Sequence, residues 1–152
     1  MNKILIYTYR TFPWIEDLQT LSSKILVLNK LKEDIQLIDK ELTTESYSLI
    51  LGIAKTNKKS TFETKGVNKF NKGEILHDGA DSFSLNYPKG GYKNIGINNS
   101  YTTSFCNWGI YQTANLLKKK NSHTEHLFVH ITRKDINILK EYLTNKELLP
   151  KD

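Results

Sequence analysis

The sequence predicts a single α/β domain spanning residues 1–152, and three observations lead there. Short apolar runs of strand length stand at Ile4–Ile6, Leu49–Leu51 and Leu127–Val129, too short for core helices and too apolar for loops. Between them lie stretches whose apolar residues recur every three or four positions, first Leu18, Leu21, Ile25, Leu28 and Leu31, later Ile110, Tyr111, Ala114 and Leu117, the spacing of one buried helix face. The length of 152 residues suffices to bury a core without disulfides or metals, and no composition shift marks a domain boundary.

Taken in order, Lys3 to Tyr9 forms the first and central strand. A single amphipathic helix is expected from Ile15 to about Lys32, then a short strand at Ile35, Leu37 and Ile38, and a turn-rich break at Thr43–Ser46. Tyr47 to Ile53 is a second buried strand. Residues Asn71 to Pro88 are a loop-rich excursion holding Gly73, Asp78-Gly79 and a strand-like Phe83–Tyr87; Asn94 to Asn98 follows as a strand. A helix runs from Cys106 to Lys120, ending in three lysines where its dipole favours cations. The strand Leu127–Val129 ends at His130, and a last helix is built around Ile136, Leu139 and Leu143.

The net charge of +6 raises nucleic-acid binding, which lysine and arginine drive by neutralising phosphates. Of the 22 basic residues only Arg10 and Arg133 are arginines, and the lysines are scattered from Lys3 to Lys151. No stripe forms and the bidentate reader of phosphates is scarce, so no nucleic-acid partner is expected. No apolar run approaches a bilayer span, and Ile4–Ile6 is too short for a signal peptide. One cysteine excludes an intrachain disulfide. The expectation is a cytoplasmic location and no membrane association.

Two residues carry chemistry. Cys106, the only cysteine, stands at the start of a helix, where the positive dipole end and unpaired N–H groups favour a thiolate. A lone cysteine is also often an inert core residue. His130 ends a buried strand, whose C-terminal end faces the same sheet edge as the start of that helix, so the two would share one rim. His123, His126 and His130 invite a metal reading. However, His123 falls in a loop, only His126 and His130 could share a strand face, and no second thiol exists, so no metal is expected.

The segment Asn99-Ser100-Tyr101-Thr102-Thr103-Ser104-Phe105-Cys106-Asn107-Trp108-Gly109-Ile110-Tyr111 resembles the nucleophile segment of the type I pyroglutamyl peptidases (pyrrolidone-carboxyl peptidases), and Phe128-Val129-His130-Ile131 resembles their histidine segment. Phe62-Glu63-Thr64-Lys65-Gly66-Val67-Asn68 is similar to the stretch in which that family places its triad glutamate, with Glu63 and Asn68 at the family's spacing. The resemblance implies a three-layer sandwich with a mostly parallel central sheet, of the phosphorylase/hydrolase-like type. At least two helices are trimmed, one of them placed between the strands at Ile35–Ile38 and Tyr47–Ile53, the other after Pro88. Lost helices uncover sheet, which other elements or a partner copy must hide, so homo-oligomerisation is an option.

The same resemblance implies a catalytic set of Cys106, His130 and Glu63, with no metal or organic cofactor, acting on a peptide or small amide substrate. Tyr9 and Phe12 stand at the positions of the two aromatics that flank the pyroglutamyl ring, and Ile53 joins them as substrate-binding. Pro13-Trp14 replaces two glycines, Lys55-Thr56-Asn57 replaces a Gly-Gly-Arg loop, and Tyr101-Thr102 stands where the family has Ala-Gly. These changes fall near substrate and leave three readings: a pyroglutamyl peptidase, a cysteine amidase for another small acyl or cyclic group, and a catalytically silent relative that binds a ligand or protein.

Overall fold

Every residue of the first strand, β1 (Ile4–Tyr9), is buried, because β1 is covered on both faces. Ile4 and Ile6 point into one apolar cluster, and Leu5, Tyr7 and Tyr9 into the other, the period-two alternation of a central strand. The computed structural model describes residues 3–101 and 104–151. In them β1 is followed by α1 (Ile15–Leu18), β2 (Ile25–Leu28), α2 (Leu31–Thr44), β3 (Leu49–Lys55), β4 (Thr61–Glu63), β5 (Lys65–Val67), β6 (Ser82–Ser84), β7 (Gly96–Asn98), α3 (Phe105–Lys119), β8 (Glu125–Ile131) and, after a 3₁₀ turn at Arg133–Asp135, α4 (Ile136–Asn145).

Six strands make the central sheet in the order β2-β1-β3-β8-β4-β7, while β5 and β6 form a separate antiparallel pair. The four strands from β2 to β8 are parallel; β4 pairs antiparallel with β8, and β7 runs parallel to β4. One face is covered by α4, whose Ile136, Leu139, Tyr142 and Leu143 meet Leu49, Leu51, Leu127 and Val129. The other is covered by α2 and α3, whose Ile38, Ile110 and Leu117 join Leu5, Tyr7, Ile50 and Phe128. This is the expected three-layer α/β arrangement.

Two expectations need correction. The helix read across Ile15–Lys32 is instead one turn at Ile15–Leu18, a break, and the edge strand β2. The strand read at Ile35–Ile38 lies within α2, which also absorbs Thr43 and Thr44. Helix α2 therefore occupies the place where the first missing helix was put, between β2 and β3. Helix α1 has only four residues, and residues 85–95 hold no helix.

Close approach requires a glycine at position 52. A Cβ on Gly52, in β3, would lie 2.6 Å from the Tyr7 hydroxyl and nearer still to the Phe128 ring. No helix of the described residues is long and apolar enough to cross a membrane.

Candidate active site

The N-terminus of α3 is fixed by two side chains on either side of Cys106. Ser104 is the N-cap, its Oγ accepting from the Cys106 amide at 3.2 Å, which satisfies one of the helix's unpaired N–H groups. Asn107, fully buried, accepts from the Val67 amide at 2.9 Å and donates to the Val67 and Lys69 carbonyls at 2.9 and 3.0 Å. It sews the first turn of α3 to β5, and Cys106 is held between these anchors, buried beneath the exposed Phe105. Thr102 and Thr103 lie outside the described residues. Tyr101 is half-buried, with Lys69 Nζ 5.9 Å from its ring centre.

His130 comes from β8, where His126, Phe128 and His130 share the α3 face; the Phe128 and His130 rings are 5.3 Å apart. Its Nδ1 lies 3.1 Å from Glu63 Oε2, and Cys106 lies near enough to act on the same imidazole. A carboxylate only accepts, so Nδ1 carries the proton toward Glu63 and Nε2 is left for the thiol. Burial alone would lower the basicity of His130. Cys106 and Glu63 together outweigh it, through hydrogen bonding and charge, and push the imidazole up to about 9.

Glu63 arrives from an unexpected direction. Because β4 is antiparallel to β8, with Thr61 opposite His130 and Phe62 opposite Val129, Glu63 lies below the rim, diagonally beneath His130. Its side chain is 2 % exposed against 21 % for His130. Glu63 is therefore not the solvated charge that a glutamate usually is, and its other oxygen accepts from Asn98 Nδ2 at 3.0 Å. The structure thus brings Cys106, His130 and Glu63 together, with a hydrogen bond between the last two. Asn98 and the anchoring role of Asn107 were not read from the sequence; an in-register polar pair at Glu63 and Asn98 shows only once the strands are aligned.

The three residues expected to hold substrate are not gathered in this way. Tyr9 packs on the α3 face, with Phe105 edge-on at 4.9 Å and its buried hydroxyl tight against Gly109. Phe12 sits in the opposite core cluster, edge-on to Trp14 at 5.4 Å. Ile53 is completely buried on that same side, and its carbonyl accepts from Thr8 Oγ1 at 2.7 Å. An open cavity of about 1280 Å³ lies beside Tyr101, lined by Lys69, Glu74 and Asp81 among others, but not by Cys106, His130 or Glu63.

Neither a protein-family model nor a curated protein matches the chain. Solved structures do. The chain is similar to pyroglutamyl peptidase I from Bacillus amyloliquefaciens, with 14 % identity, 95 % of this chain and 92 % of that one covered, and a TM-score of 0.75. A mutant pyrrolidone carboxyl peptidase from Pyrococcus furiosus matches at 13 % identity over 97 % of this chain and all of the other, TM-score 0.75. That from Thermococcus litoralis matches at 17 % identity over 87 % and 77 %, TM-score 0.71. The fold of this chain is that of the pyroglutamyl peptidases, as the sequence resemblance implied.

Proposed function

We propose that the protein is a cysteine peptidase that removes an N-terminal pyroglutamyl residue from peptides, through Cys106, His130 and Glu63, in the cytoplasm and without a metal or organic cofactor. One observation carries the reading: a thiol at a helix start stands beside an imidazole that is hydrogen-bonded to a buried carboxylate, in a fold whose solved counterparts are pyroglutamyl peptidases.

The chemistry follows from the arrangement. The Cys106 thiol gives its proton to His130 Nε2, and the thiolate attacks the amide carbonyl carbon, whose π pair moves to oxygen. Backbone N–H groups at the start of α3 hold the oxyanion. The Cys106 amide, bonded here to Ser104, joins them only if the Ser104 hydroxyl turns away. As the oxyanion collapses, the C–N bond breaks and His130 returns its proton to the departing amine. Water, deprotonated by His130, then cleaves the thioester and regenerates the thiol. Glu63 fixes the imidazole's orientation and offsets its positive charge. On the family's pattern Tyr9, Phe12 and Ile53 would wall the lactam ring, which requires Tyr9 and Phe12 to turn out of the opposite core clusters that hold them here.

A second reading has its own support. Tyr9 and Phe12 face opposite core clusters and are each engaged by another ring, an arrangement that favours an acyl group other than a flat lactam held between them. Such an amidase would use the same three residues.

The test is hydrolysis of a fluorogenic pyroglutamyl amide under reducing conditions, by the wild type and by Cys106→Ala, alongside iodoacetamide labelling at neutral pH. Fluorophore release by the wild type alone is the expected result. Rapid labelling of Cys106 with no release would overturn the pyroglutamyl assignment and leave the amidase. Labelling no faster than free cysteine, with no release, would overturn both and leave a binding protein.

A further inference from the structure

Strands β4 and β7 pair in parallel with Glu63 in register with Asn98, so the two side chains meet on one face of the sheet. Asn98 Nδ2 donates to Glu63 Oε1 at 3.0 Å, and Asn98 Oδ1 accepts from the Ser100 amide at 3.1 Å. The second bond fixes the amide's orientation: turned over, it would set an oxygen against the carboxylate and an NH₂ against an N–H. The Asn98 carbonyl also accepts from Thr64 Oγ1 at 3.0 Å, which ties the end of β7 to the residue after Glu63.

Each Glu63 oxygen therefore has a main task. Oε2 faces His130 at 3.1 Å, with Thr61 Oγ1 at a long 3.4 Å, and Oε1 faces Asn98. Without Asn98, the carboxylate loses the bond that stops it from rotating away from the imidazole. Asn98 also begins the segment that leads through Ser100 to the helix carrying Cys106.

We infer that Asn98 is a positioning residue for the Glu63–His130 pair, holding the carboxylate in the rotamer that meets the imidazole and linking it to the base of the nucleophile segment. The inference rests on the proposed triad for its catalytic meaning, but its geometric content stands apart from any substrate. It acts through Glu63 and touches no reacting atom.

The titratable groups facing His130 are Cys106 from α3 and Glu63 from β4. The experiment is an NMR titration of the His130 imidazole in the wild type, Asn98→Ala, Glu63→Gln and the double variant, with thermal melts to establish folding. Asn98→Ala is expected to lower the His130 midpoint by about one pH unit, a tenfold loss of proton affinity. In the Glu63→Gln background the same change is expected to move it by less than about 0.3 unit, because the path runs through Glu63. An unshifted midpoint in a folded Asn98→Ala, or an equal shift in both backgrounds, overturns the inference. Should Asn98→Ala fail to fold, Asn98→Leu, close in volume and lacking donors, carries the same two comparisons.

Where the wild type hydrolyses a pyroglutamyl amide, Asn98→Ala is further expected to lower kcat about tenfold with KM unchanged, the mark of an interaction made in the transition state. A change in KM alone counts against it. A wild type inactive on that substrate sinks the pyroglutamyl reading and leaves the titration to decide the role of Asn98.

Discussion

Acid should destabilise this protein through one residue that the proposed chemistry does not use. His126 lies on β8 four residues before His130, buried beneath α3, with its Nε2 in a hydrogen bond with the Tyr7 hydroxyl at 2.9 Å. Its Nδ1 has no hydrogen-bond partner among the described residues. Burial lowers the imidazole to about 3, because a cation there would be stripped of water with no carboxylate to answer it. The folded state thus keeps His126 neutral, while the unfolded chain takes up a proton below about 6.5. The stabilisation is present in full above that value and is lost as the pH falls toward 3. Each pH unit removes about 1.4 kcal/mol, on the order of 5 kcal/mol over the whole window. A domain of this size holds roughly 5–15 kcal/mol in total, so this one group can decide where acid unfolding begins. The measurement is urea unfolding followed by the fluorescence of Trp14 and Trp108 at pH 7, 5.5 and 4.5, for the wild type and His126→Gln. Glutamine can still donate to or accept from Tyr7 and does not titrate. Between pH 7 and 4.5 the wild type is expected to lose about 2.5 kcal/mol more than the variant. Parallel decline of the two proteins would refute the reasoning, whatever their absolute stabilities.

Two further outcomes follow from packing. Asn107→Ala should cost about 3–5 kcal/mol in the same unfolding assay, because it orphans a buried amide and two carbonyls at the junction of α3 and β5; a cost under about 1 kcal/mol would show that the strand is held by other contacts. Gly52→Ala, by forcing a Cβ into Tyr7 and Phe128, should destabilise by about 1–3 kcal/mol and disturb the near-ultraviolet circular dichroism of the tyrosines, and a neutral substitution would place those rings elsewhere.

The parts of this fold that were legible in the sequence are those where one physical cause acts alone. Strands β1, β3 and β8 are buried on both faces, so their apolar runs stand out. The error at Ile15–Lys32 has a different origin. Ile25 and Leu28 belong to an edge strand that is only partly buried, and their spacing happens to continue the three-and-four rhythm of Leu18 and Leu21. The true start of α2 was marked by Asp34, whose carboxylate accepts from the Asn29 and Lys30 amides at 2.7 and 2.8 Å, a capping signal that apolar periodicity does not register. Leu31, Ile35, Ile38 and Leu42 then form the apolar stripe of that helix, which the sequence reading divides between the end of a preceding helix at Leu31 and a strand at Ile35–Ile38.

The candidate site was legible in a similar way. Cys106 and His130 could be placed on one rim by element order alone, since both flank the sheet edge where parallel strands end. Glu63 was reached only through the family's spacing, and its entry from a reversed strand is a matter of topology that no local pattern contains. Side-chain amides such as Asn98 and Asn107 have no periodicity to betray them; their importance comes from which backbone groups lie opposite.

The reversed strand β4 has a consequence for how the molecule could lose activity without losing its shape. Three residues long, β4 meets β8 at only two register pairs and is otherwise flanked by β7, equally short, at the sheet's end. Cys106 and His130 belong to elements anchored in the middle of the domain, whereas Glu63 and Asn98 ride on this narrow margin. Local opening of a sheet margin costs less than global unfolding. The margin could therefore lift away and return while the rest stays folded, and amide hydrogen exchange would see Phe62 and Ile97 become unprotected well before Leu51. The carboxylate would then be a part-time member of its own site, present for the fraction of time that the margin is closed.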